Sequence, residues 1–117
     1  MIARFCPLTK AAVLLALSFP QLAAADTFTS ATVLGWPEAQ QNALFQTSIT
    51  MTGIVATRRD DTSHIARCID DWYSDAKGTV ATVNASIRES MRQLSEYHPQ
   101  AVIIAVVEKA CGKFDGS

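Results

Sequence analysis

A chain of 117 residues with ten Lys and Arg against eleven Asp and Glu has a formal net charge of −1. That balance offers no clustered basic face, which argues against nucleic acid or an anionic membrane surface as the natural partner. The length suffices for one domain and is too short for two.

Residues 1–25 read as a secretory signal peptide. Arg4 and Lys10 precede the apolar block Ala11 to Phe19, Pro20 breaks it, and Ala23, Ala24 and Ala25 offer a small-residue cleavage site. The apolar block is shorter than the roughly 20 residues a spanning helix needs, so no membrane segment is expected after cleavage. Cys6 would leave with the peptide. The mature chain of about 92 residues, starting near Asp26, would carry a net charge of about −3. Export implies an oxidising compartment, where an even pair of cysteines is most simply one disulfide, here Cys68 with Cys111. Such a bridge closes a loop of about 44 residues, for which the chain-entropy model gives about 4 kcal/mol. Against a total stability of about 5–15 kcal/mol, that is a large share.

Residues 26–36 are polar and Thr-rich and read as an extended tail, leaving residues 37–117 as a single helical domain. Pro37 is suited to a helix start because its missing N–H would be unpaired there anyway. A helix from Pro37 to Thr57 places Leu44, Met51 and Val55 on one side, flanked by Phe45 and Ile49. Alternation of Phe45, Ile49, Met51 and Val55 with Gln and Thr also fits a strand. Helix is favoured over residues 45–55, because a lone strand has no partner elsewhere in the chain. Gly53 then marks a close helix contact or a weak spot.

The polar segment Arg58 to Ser63 reads as a turn, with Thr62 or Ser63 capping a short helix that begins at His64. Gly78 ends the Asp-rich stretch that follows. From Thr79 to His98 a second long helix places Val80, Val83, Ile87, Met91, Leu94 and Tyr97 within one stripe, with Arg88, Glu89, Arg92 and Glu96 opposite. Pro99 breaks that helix and starts the next. There Ile103, Val106, Val107, Ala110 and Phe114 share a face that Val102 and Ile104 widen, and a helix so broadly apolar should be the central one.

The segment IDDWYSD sets Asp70, Asp71 and Asp75 around Trp72 and Tyr73. Its plain reading is a packed aromatic with solvated carboxylates. Its sharper reading is a recognition patch, since aromatic anchors bordered by charge are typical of binding hot spots. His64, Cys68, Cys111 and Asp70 or Asp71 could in principle hold a metal, but no Cys-x-x-Cys or His-x-x-x-His spacing supports one. His64 and His98 each fall at a helix terminus and read as caps or surface groups. The Asn84-Ala85-Ser86 sequon falls inside a helix and is discounted. With no phosphate loop and no Ser nucleophile elbow, no catalytic residue and no cofactor are expected.

The order of features resembles the Rap/Tai family of small periplasmic immunity proteins. These features are a helix carrying Met51-Thr52-Gly53-Ile54-Val55, then Cys68-Ile69, then an amphipathic helix ending Tyr97-His98-Pro99, and a terminal apolar helix with a Cys. Asp70 stands where that family has Pro, and Cys111 precedes Phe114 rather than following a Phe-Pro pair. The resemblance spans residues 45–114. It implies a protein that neutralises a peptidoglycan-cutting amidase effector of type VI secretion. The chain is also similar in plan to the HdeA-type acid-stress chaperones, small periplasmic helical proteins with one long-range disulfide. The expectation is therefore an all-α domain of three or four helices stapled by Cys68–Cys111. It would bind a protein partner through Asp70, Asp71, Trp72 and Tyr73 or the loop of Arg58 and Arg59, and could pair as a homodimer.

Overall fold

A computed structural model describes residues 27–115. The signal-peptide reading of residues 1–25 lies outside the described residues. Within them the protein is all-α, with five helices: α1 (Ser30–Leu34), α2 (Glu38–Ala56), α3 (Ser63–Trp72), α4 (Val80–Gln93) and α5 (Pro99–Cys111). A 3-10 turn, Asp60–Thr62, leads into α3.

The core is built from all five. Val33 of α1, Phe45 and Ile49 of α2, Ile65 and Ile69 of α3, Val83, Ile87 and Met91 of α4, and Val102, Ile103 and Val107 of α5 are buried in one cluster. Each fully buried large side chain stabilises by about 1.5–3 kcal/mol relative to exposure. The last helix is central as expected, since α5 packs against each of the other four. His98 is its N-cap, with Nδ1 accepting from the Gln100 N–H at 3.2 Å. Its other end closes at Gly112, whose φ of 111° is open chiefly to glycine. The Cys68–Cys111 disulfide joins that end to α3, with the two Cα atoms 5.6 Å apart.

Four expectations are corrected. The tail over residues 26–36 is not extended throughout, because Ser30–Leu34 forms a helix that buries Val33. Its free N-terminal amides are met from far along the chain: Ser30 N–H donates to the Tyr97 carbonyl at 2.8 Å and Ala31 N–H to the Ser95 carbonyl at 3.0 Å. Those carbonyls are free because α4 ends at Gln93 rather than His98, which also leaves Leu94 and Tyr97 exposed instead of in the core stripe. Thr62 does stand at the N-cap of α3, but its hydroxyl donates to the Ala56 carbonyl at 2.7 Å instead of capping.

The fourth correction concerns α2. The segment 45–55 is helix, not strand, yet its inward face is Gln41, Phe45, Ile49 and Ala56. Met51 and Val55, expected inside beside Leu44, point to solvent. A helix apolar on several sides takes its orientation from its neighbours rather than from its own pattern.

Candidate functional site

From Ala39 to Thr57 the chain carries no charged residue. One side of the α2 helix so formed is spent on the core. The other exposes Met51 at 56%, Ile54 at 53% and Val55 at 55%. Large apolar side chains left more than half exposed and adjacent to one another mark contact surfaces more often than lone exposed residues do.

A groove lies on each side of this ridge. Between α2 and α3 a groove of about 240 Å³ has Ile49, Gly53, Ile54 and Ile69 as apolar walls, with Asp70 and Tyr73 at its α3 end. Between α2 and α5 a second of about 250 Å³ is lined by Met51, Thr52, Val55, Ile104 and Phe114. It continues past Thr47, Ser48 and Gln100. There the Gln100 side-chain amide donates to the Ser48 hydroxyl at 3.1 Å and ties the two helices together.

Tyr73 is held by a polar chain that crosses the domain. Its hydroxyl donates to Asn84 Oδ1 at 2.9 Å, and Asn84 Nδ2 donates to Asn42 Oδ1 at 3.3 Å. Arg88 donates to the same Asn42 oxygen and, through Nε, to Gln41 Oε1 at 2.8 Å. Gln41 Nε2 closes the chain on the Trp36 carbonyl at 2.9 Å. The Arg88 guanidinium also sits 5.5 Å from the centre of the Phe45 ring, within cation–π range. Burial pushes the Tyr73 hydroxyl above its ordinary pKa and Asp75 adds to the rise, while the Asn84 hydrogen bond and Arg88 oppose it. No buried side-chain nitrogen or oxygen among the described residues lacks a partner. A fully satisfied network of this kind fixes the α3 end of the first groove in one geometry.

The six residues singled out for partner binding do not form one patch. Asp70 and Tyr73 reach the α2–α3 groove. Trp72 is half-buried against the core, its ring 6.3 Å from that of Tyr73. Asp71 pairs with Lys77, and Arg59 pairs with Asp61 at 2.6 Å on the exposed loop. Arg58 is exposed where α2 ends. The contact residues missed by the sequence reading are Gly53 and Ile54, together with Met51 and Val55, which it had placed in the core. Their signal was the uncharged run itself, too apolar around its circumference for one core face to absorb.

Among the described residues, no three His, Cys, Asp or Glu side chains are grouped to hold a metal ion. Nor is any described helix long and apolar enough to cross a membrane. Asn84, the sequon residue, is buried within α4. No family model, curated protein or solved structure matches the chain.

Proposed function

We propose that the chain is a non-enzymatic binding protein of the bacterial periplasm, resembling the immunity proteins that neutralise peptidoglycan-cutting amidase effectors. The observation that carries this reading is the outward face of α2. Met51, Ile54 and Val55 stand between two shallow grooves, on a helix with no charge between Glu38 and Arg58. A protein partner gains from covering such a face because apolar area leaves water and no charge must be desolvated. The grooves favour side chains over a small-molecule substrate, since both fall below the roughly 300–1,000 Å³ of ordinary ligand pockets.

The test is inhibition. The purified oxidised protein is mixed with a panel of type VI peptidoglycan amidases, and muropeptide release is followed. Stoichiometric inhibition of one member, weakened by Met51→Ser with Val55→Ser, is the expected result. Failure to slow any of the panel at molar excess sinks the immunity reading. Export is tested separately by N-terminal sequencing of protein recovered from the periplasm, with Asp26 expected as the first residue.

A further inference from the structure

We infer that the groove between α2 and α3 seats an arginine side chain of the protein partner. This assignment rests on the binding reading above and names the chemistry of one contact within it.

The groove has a mainly apolar lining of Ile49, Gly53, Ile54, Ala66 and Ile69, with the hydroxyls of Thr50 and Thr57 on its α2 side and one charge on its α3 side. Ile49 and Ile69 form its buried floor, and Gly53 leaves room that a side chain would occupy. Asp70 is the one charged residue in the lining. It makes no ion pair among the described residues, even with Arg67 one turn before it, whereas its neighbour Asp71 is already engaged by Lys77. A free carboxylate beside a mainly apolar channel complements a long side chain with an aliphatic stem and a cationic head. Arginine fits better than lysine on two counts. Its planar guanidinium can bond a carboxylate in a bidentate fork and lie against an aromatic ring, and it is less strongly hydrated than an ammonium. Tyr73 supplies the ring beside Asp70, and its hydroxyl is held by Asn84.

Two substitutions probe the groove without endangering the fold. Asp70→Asn alters an exposed side chain that pairs with nothing. Gly53→Ala places a methyl 3.6 Å from Ile69 Cγ2, an ordinary contact, within the lining of the groove.

The experiment is an amide chemical-shift titration of the disulfide-bonded protein with N-acetyl-arginine methylamide, beside the lysine and norleucine methylamides. Expected are shifts centred on Gly53, Thr57, Asp70 and Tyr73 that are largest for arginine and near zero for norleucine. Asp70→Asn should weaken the response by about two- to fivefold, as loss of a solvent-exposed ion pair does. Gly53→Ala should weaken it by narrowing the groove. Equal responses to the three amides, or an unchanged response in either variant, overturn the assignment. An amidase inhibited equally by the wild type and by Asp70→Asn overturns the arginine contact and leaves the binding function standing. The two readings therefore fail separately.

Discussion

The two sides of α2 have similar composition and opposite fates. Phe45 and Ile49 are wholly buried, while Met51, Ile54 and Val55, within three turns of them on the same helix, are more than half exposed. The inner residues meet Ile65, Ile69 and the apolar side of α5, so they are fixed by packing. The outer ones meet only groove edges and solvent. The two apolar sides of one helix are therefore held differently, and on the proposed binding reading stability and binding should respond to different substitutions.

The sharpest test of that separation is truncation of the inner side. Phe45→Ala should cost about 3–5 kcal/mol in chemical denaturation, since it empties a fully buried site and removes the ring beneath Arg88. A smaller value would mean that the inner side is less well packed than its burial indicates. Next is the staple: Cys111→Ser, or reduction of the wild type, should lower stability by about 4 kcal/mol. It would loosen α3 against α5, and with them both grooves. Retention of full amidase inhibition by the reduced protein would break the link between the staple and the contact face.

Tyr73→Phe is expected to cost about 1 kcal/mol at neutral pH through loss of the bond to Asn84. It also carries a pH signature. Burial raises the Tyr73 pKa in the folded state above the usual tyrosine value of about 10. The folded protein then holds this proton more tightly than the unfolded chain does. The stabilisation is complete below about pH 10 and is lost as pH rises through the folded value. Denaturation midpoints measured from neutral to alkaline pH should fall more steeply in the wild type than in Tyr73→Phe, and parallel curves would contradict this. The smallest effect is on the outer side: Met51→Ser should change stability by no more than about 0.5 kcal/mol while weakening partner binding. If Met51→Ser destabilised as much as Phe45→Ala, the comparison between the two sides would collapse.

Much of the fold was legible because several signals were local. Val83, Ile87 and Met91 recur at helical spacing with charges opposite, Pro99 fits the first turn of a helix and not its interior, and two cysteines remain beyond the proposed leader. What was not legible depended on partners distant in the chain. The five residues of α1 span too little to show a period, and they fold because Val33 finds the core and Ser30 finds Tyr97. Leu94 and Tyr97 continue the stripe of α4 on paper, but the helix has already ended at Gln93. The candidate site divides in the same way. Asp70 and Tyr73 stood out as acid beside aromatic, whereas Gly53 and Ile54 became groove residues only once α3 was set against α2.

The attachment of α1 also orders events in time. Ser30 donates through both its amide and its hydroxyl to the carbonyl of Tyr97, 67 positions further on. A chain emerging from a ribosome or a translocation pore with its N-terminus leading holds Val33 and those donors without their partners until Tyr97 has followed. Because α5 supplies the centre of the core and comes last, the domain cannot close around its early segments as they appear. The native core is therefore complete only when the chain has been made as far as α5.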